Sequence, residues 1–233
     1  MKRFFSYYGG KHALVKKYPA PEYKKIIEPF AGSAAYATAY GESRAVDLYD
    51  LSPIVCGVWQ YLIKVSREEI LRIPDLILHV DNLVGWPQEV TWLVGFCLNV
   101  ASSTPYKEAT YWSILGDTWS RFRYRIAAQV DKIRHWRVFN ASYETASNEV
   151  ATWFVDPPYQ CAAGRAYKFN AVDFPKLGAW CRDRGGQTIV CEQYGADWLP
   201  FEPLCSARGA TRRTMEAIWT GRNVLSNRSV TEK

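Results

Sequence analysis

The tetrapeptide Asp156-Pro157-Pro158-Tyr159 follows directly on the apolar run Trp153-Phe154-Val155. Two consecutive prolines fix φ at about −65° and remove two backbone N–H donors, so the segment offers a carboxylate and backbone carbonyls on a rigid turn. Such an acceptor-only surface is matched by an NH2 group. The exocyclic amine of a nucleobase is nearly planar because its lone pair is delocalised into the ring. Two acceptors holding its hydrogens favour the pyramidal, nucleophilic form as attack begins. Tyr159 would add a π-face for the base. The simpler use of the same residues is a tight turn with a capping Asp.

A second locus is Glu28-Pro29-Phe30-Ala31-Gly32-Ser33-Ala34, where a glycine and three small residues let the backbone come close to a ligand at a helix N-terminus. By itself this is also ordinary turn chemistry. Asp50, at the end of a predicted second strand, stands where a ribose is commonly read in an open α/β sheet. Its neighbour Asp47 reads as a solvated or strand-end charge. Lys11 in Tyr7-Tyr8-Gly9-Gly10-Lys11 has a bland reading as one of many surface lysines. A phosphate-binding P-loop is excluded there, because His12 replaces the required Ser/Thr and no glycine lies five residues before Gly10.

The elements that must position these loops are legible as a rhythm. Residues 24–28 read as a strand, 34–40 as a small-residue helix and 44–49 as a second strand. Ser52 can then cap, and Pro53 open, a helix over 54–64, with a further helix over 68–78 broken near Pro74. Two β-α steps in 60 residues predict a parallel, doubly wound sheet. Between about 83 and 137 the strand rhythm gives way to helical segments and a turn-forming linker at 101–105. Within them Trp119, Phe122, Ile126, Val130 and Ile133 form a core stripe, with Arg121, Arg125 and Lys132 off it. Strands resume at 137–139, 152–155 and 187–191, with a helix over 177–184 before the last. Residues 212–220 and 222–225 read as a closing antiparallel hairpin.

At 233 residues, 48% apolar and 22% charged, the chain has material for a buried core, which excludes a disordered tail, a collagen-like chain or a coiled coil. The net charge of +6 is unevenly spread: stretches 1–28, 119–137 and 206–233 hold 19 of the 29 Lys and Arg. Brought to one face they would suit a phosphate backbone; apart, they are three solvated segments. Trp119, Phe122, Tyr124 and Trp136 interleave with Arg121, Arg123, Arg125, Arg134 and Arg137, as in a nucleic-acid surface or a plain helix core. Six cysteines with no C-x-x-C pair, and no signal peptide, read as reduced intracellular thiols. Three histidines, none near two cysteines in sequence, give a zinc site little support. No apolar run is long enough to span a bilayer.

Four motifs in this order resemble the D12 (Dam-like, α-group) class of DNA N6-adenine methyltransferases. Tyr7-Tyr8-Gly9-Gly10-Lys11 is similar to the aromatic-x-G-G-K motif and Glu28-Pro29-Phe30-Ala31-Gly32 to E-P-F-x-G. Asp50-Leu51-Ser52-Pro53 is similar to D-x-N-P, and Asp156-Pro157-Pro158-Tyr159 to the catalytic D-P-P-Y. The resemblance implies a Rossmann-like S-adenosylmethionine-dependent sheet from 1–59 and 140–233, with 60–139 an inserted, mainly helical target-recognition domain. It implies that Tyr7 and Lys11 help hold S-adenosylmethionine, that Phe30 and Gly32 line its pocket and that Asp50 binds its ribose hydroxyls. Asp156, also expected among the cofactor-binding residues, and the Pro157 carbonyl would grip the target amine near the cofactor, with Pro158 and Tyr159 completing the catalytic corner. The expected partner is double-stranded DNA, contacted through Lys107, Arg121, Arg123 and Arg125, with no metal, no membrane, and a monomer or weak dimer in a bacterial or phage-infected cytoplasm. RNA adenine methylation and a catalytically silent nucleic-acid-binding module are the competing readings. Three positions differ from common members: Ala34 replaces a second glycine, Tyr7 a Trp, and Ser6 a Lys.

Overall fold

In the computed structural model, which describes residues 1–99, 102–208 and 213–223, seven strands build one sheet. They are β1 (Lys25–Glu28), β2 (Ala45–Asp50), β3 (Arg137–Asn140), β4 (Ala151–Val155), β5 (Gly186–Gln193), β6 (Glu202–Arg208) and β7 (Arg213–Asn223). Their order is β3-β2-β1-β4-β5-β7-β6. β1 pairs in parallel with both β2 and β4, β2 with β3 and β4 with β5, whereas β7 is antiparallel to both β5 and β6. The chain therefore builds outward from β1 through β2 to β3, then returns to place β4 on the other side of β1. This reversal makes a crevice beyond the carboxyl ends of β1 and β4, the place where open α/β sheets take their ligands.

The alternation along β1 explains the two faces. Ile26 enters one core cluster with Phe4, Phe5, Leu48 and Trp59, and Ile27 enters the other with Trp153, Val155, Leu177 and Trp198. Helix α1 (Ala35–Tyr40) and helix α2 (Pro53–Lys64) belong to the first face. Helix α2 begins as the sequence reading expects: Pro53 opens it, and Ser52 Oγ accepts from Val55 N–H at 3.4 Å.

Helix α3 (Arg67–Arg72) starts with a capping box between Ser66 and Glu69 and is shorter than the expected 68–78. Ile73, which precedes Pro74, leaves the helical region at ψ 132° because the proline ring disfavours it. Residues 78–80 instead bond to 107–109, with Ala109 N–H donating to Leu78 O and Val80 N–H to Lys107 O, both at 2.8 Å.

Helices α4 (Gln88–Leu98), α5 (Tyr111–Leu115) and α6 (Thr118–Ala127) follow. The expected stripe Trp119, Phe122, Ile126, Val130 and Ile133 is buried throughout, although α6 stops at Ala127 and a 3-10 turn carries the last two. Val90, Leu93, Phe122 and Ile126 share one continuous core with Ile26 and Leu48 of the sheet. Neither end of 60–139 falls at a break in structure: α2 runs through position 60 and β3 begins at Arg137.

Helix α7 (Phe174–Arg182) begins a turn earlier than 177, capped by Asp173, whose Oδ1 accepts from Lys176 N–H at 3.0 Å. The expected hairpin of 212–220 with 222–225 is corrected. Residues 213–223 form the single strand β7, and its antiparallel partner is β6. Gly221, the position between the two expected strands, lies within that strand; a Cβ there would meet the Trp219 ring at 2.4 Å, so the glycine makes room for the indole. Positions 212, 224 and 225 lie outside the described residues, as do 101 of the expected linker and 209–212 and 224–233 of the third basic stretch. All six cysteines are free thiols. Among the described residues, no helix is long and apolar enough to cross a membrane, and no three His, Cys, Asp or Glu side chains are grouped as metal ligands.

Candidate active site

The turn after β1 is set by backbone geometry. Ala31 N–H donates to Tyr49 O at 2.9 Å, tying the turn to β2, and the chain then reverses through left-handed conformations at Gly32 (φ +46°) and Ala34 (φ 45°). Glycine adopts this region freely, whereas an L-residue incurs about 1–2 kcal/mol. Ala34, which replaces the second glycine of the motif that this turn resembles, is thus a site of backbone strain as well as of one extra methyl. A Cβ on Gly32 would lie 2.9 Å from the Tyr7 ring, so the N-terminal segment and the turn press together here.

Asp50 fixes this turn against the next helix. Gly32 N–H donates to its Oδ2 at 2.9 Å and Ser52 N–H to its Oδ1 at 2.8 Å. Burial pushes its carboxyl up, and these two donors oppose the shift. Asp47, three residues earlier, is spent otherwise: it is buried, and Arg137 grips both its oxygens at 2.6 Å while Lys25 lies 2.8 Å from Oδ2. It is a buried ion-pair hub rather than a solvated charge.

Asp156, one residue beyond β4, meets Lys11. Lys11 Nζ lies 2.9 Å from Asp156 Oδ1 and 3.9 Å from Glu216 Oε1, donates to Gly9 O at 2.9 Å, and sits 4.6 Å from the centre of the Tyr159 ring. Glu216, from β7, also accepts from Tyr18 Oη at 2.8 Å and from Tyr159 Oη. One buried cation is shared by two carboxylates. Burial opposes the charge on Lys11, but Asp156 and Glu216 outweigh it and hold the ammonium protonated. Asp156 is pushed up to about 6, chiefly by burial; Lys11 opposes the shift and the like charge of Glu216 adds to it. Glu28 is pushed up to about 8 by burial, against the Ala37 N–H it accepts. Glu192 anchors the corner from behind, accepting from Gln160 N–H at 3.1 Å and Trp198 Nε1 at 3.0 Å.

A cavity of about 340 Å³ joins these parts. Tyr7, Lys11, Phe30, Gly32, Asp50, Asp156 and Pro158 all line it, so seven of the sequence-predicted residues converge. Pro157 and Tyr159 do not line it. The expected stacking face on Tyr159 is corrected: Lys11 lies against its ring, and its hydroxyl is bound to Glu216. The aromatic walls are instead Tyr7, Tyr8, Tyr143, Tyr167 and Phe169. Phe30 stacks on Tyr143 with centroids 5.4 Å apart. Lys11, expected at the cofactor, is the counter-ion of Asp156.

The predicted nucleic-acid contacts separate. Lys107 and Arg121 are exposed, and Arg125 is half-buried. Arg123 is buried, its guanidinium held by Leu71 O and Asp75, and it is removed from the candidate surface. Sequence reasoning missed Glu216, Tyr143 and Tyr167. Nothing in the sequence marks a lone glutamate in a strand as inward-facing until its neighbours are placed.

The donor set suits S-adenosylmethionine: carboxylates for hydroxyls and for a sulfonium charge, aromatic faces for a purine, and a turn pressed close by Gly32. No family model and no curated protein matches the chain. Among solved structures it is similar to a conserved hypothetical protein of Streptococcus pyogenes, at 9% identity, covering 83% of this chain and 84% of that one with a TM-score of 0.35. It is also similar to YhhF of Escherichia coli, described as a candidate methyltransferase, at 11% identity, 91% and 81% coverage and a TM-score of 0.37. A third is HI0767 of Haemophilus influenzae, described as a candidate methylase, at 11% identity, 85% and 87% coverage and a TM-score of 0.37. The strand order and pairing of this chain itself define it as a Rossmann-like α/β protein whose crevice at the sheet reversal carries the converging loops.

Proposed function

We propose that the chain is an S-adenosylmethionine-dependent methyltransferase acting on the exocyclic N6 amine of adenine in DNA. The observation that carries this reading is the common cavity: the Asp156 carboxylate and the proline corner open on the same space as the Gly32 turn and Asp50. The four-motif resemblance supplies the adenine and the DNA. When bound, S-adenosylmethionine supplies a methyl group already activated on sulfur, so positioning and electrostatics remain for the protein.

Phe30 and Tyr143 would offer a flat apolar wall to the cofactor's purine, and Asp50, at the end of β2, would accept from its ribose hydroxyls. Lys11 holds Asp156 Oδ1, which leaves Oδ2 to accept a hydrogen from the target amine and to take the proton that N6 loses on methylation. A target adenine must leave the duplex to reach this depth, at a few kcal/mol offset by stacking and base-edge hydrogen bonds. Tyr167 and Phe169, rather than Tyr159, stand in the cavity wall for that stacking.

The test is to incubate the protein with labelled S-adenosylmethionine and duplex DNA of known sequence, then map modified adenines. Label in N6-methyladenine of DNA supports the reading. Label in structured RNA alone, or none with calorimetrically silent cofactor, rejects it.

A further inference from the structure

A second cavity, of about 330 Å³, lies between the N-terminal segment and helices α5 and α6. Arg3, Arg121 and Arg125 line it together with Trp112 and Phe122. Two of the guanidinium groups flank one ring: Arg3 Cζ lies 5.3 Å and Arg125 Cζ 4.7 Å from the centre of Phe122. Among the described residues, no carboxylate lies within 4 Å of any of the three. Arg123, from the same helix as Arg121 and Arg125, is in contrast paired with Asp75.

Gathering cations around an apolar ring without a counter-charge is unfavourable for the free protein, which makes the space a receptor for an anion. The field reaches inward. Burial, with the Arg3 and then the Arg125 charge added, holds His12 neutral down to about pH 4. Trp112 is 78% exposed on the rim, and Tyr111 beside it is 66% exposed. Cations that track phosphate next to exposed aromatic rings that take a base are the combination that binds a nucleotide strand. The cleft also adjoins the reaction cavity: Ser6 lines one and Tyr7 the other.

We infer that Arg3, Arg121 and Arg125 form a backbone-phosphate site for the DNA strand, with Trp112 packing on an adjacent nucleotide. The inference deepens the proposed function and rests on it for the choice of DNA as ligand. Lys107, placed beside these arginines by the sequence reading, does not line the cleft.

The experiment is fluorescence anisotropy of a labelled 5′-fluorescein duplex, titrated at salt between about 50 and 200 mM. Each phosphate contact removed lowers the slope of log affinity against log salt by about one, so R121Q/R125Q should lower it by about two and weaken binding at least ~10-fold. W112A should weaken binding ~10-fold with the slope unchanged, because it removes stacking and no charge. R125K should retain the wild-type slope. S-adenosylmethionine binding, followed by calorimetry, should be unchanged in every variant. Wild-type affinity and slope in R121Q/R125Q would overturn the inference, and so would tighter binding of an RNA duplex than of DNA. If the double variant loses cofactor binding, the exposed single change R121Q decides by the same slope. DNA methylation with unaltered slopes removes this site and leaves the proposed function standing. Lost slope in a protein that methylates no DNA does the reverse.

Discussion

The two cavities on either side of residues 6 and 7 handle charge in opposite ways. At the first cavity the charges answer one another: Lys11 is shared by Asp156 and Glu216, and the hydroxyls of Tyr18 and Tyr159 donate to the same Glu216 oxygen, Oε1. In the arginine cleft, among the described residues, three guanidinium groups have no carboxylate to answer them. A cluster whose charges are paired within the protein holds a geometry for chemistry on a neutral group. An unbalanced one waits for charge from outside.

The sharpest way to break this division is Asp156→Ala. Methyl transfer should fall by roughly 10³-fold or more, as for other losses of a group aimed at the reacting centre. Cofactor binding by calorimetry should be largely retained, and the salt slope of DNA binding unmoved. Turnover near wild type would remove Asp156 from the mechanism.

Glu28→Gln should change stability by a few kcal/mol with a defined sign. Glu28 titrates at about 8 in the folded chain against about 4.5 when free, so its contribution is fully present below pH 4.5 and is lost as pH rises through 8. Urea unfolding from pH 5 to 8 should show a decline in the wild type that the amide flattens. Cleft variants should leave that decline in place, since arginine does not titrate there.

Gly32→Ala forces a side chain into φ +46° and against the Tyr7 ring. The expected loss is about 1–2 kcal/mol in thermal stability, together with weaker cofactor binding and an unchanged salt slope. Equal losses of DNA and cofactor affinity would show that the two cavities are not separable.

The smallest expected effect is in Glu216→Gln. In the proposed mechanism Asp156 acts as a carboxylate, so the rate should fall as pH drops through about 6. Removing the like charge of Glu216 lets Asp156 stay ionised further down, which moves the acid limb of the rate profile to lower pH by less than about one unit. An unmoved limb would confine Glu216 to holding Tyr18 and Tyr159.

The strands and their loops were legible because short apolar runs and punctuation by Gly, Pro and Asp are local properties: 152–155, 187–191 and the Ser52-Pro53 helix start all lie where the pattern places them. The edge of the sheet was not. Residues 212–220 and 222–225 looked like the two strands of a hairpin, and only the pairing with β5 and β6 shows why Gly221 sits inside a strand. The helix expected over 68–78 ends before Pro74, the break that the sequence marks, whereas the pairing of 78–80 with 107–109, which takes the place of its second half, joins residues far apart in the chain and is invisible to local periodicity.

The amino-acid order alone fixed which chemical groups stand at which loops: a carboxylate before two prolines, a glycine between strand and helix, an acid closing the second strand. Backbone preferences act over a few residues, and so they can be read without the fold. Which of these groups face one another was decided by tertiary structure. Lys11 became the partner of Asp156, Tyr159 was turned away from the cavity toward Glu216, and Arg123 was buried while its neighbours on the same helix were left without a counter-charge. Each outcome depends on side chains brought together across long stretches of chain, where burial and pairing set the state of a charge and sequence distance does not.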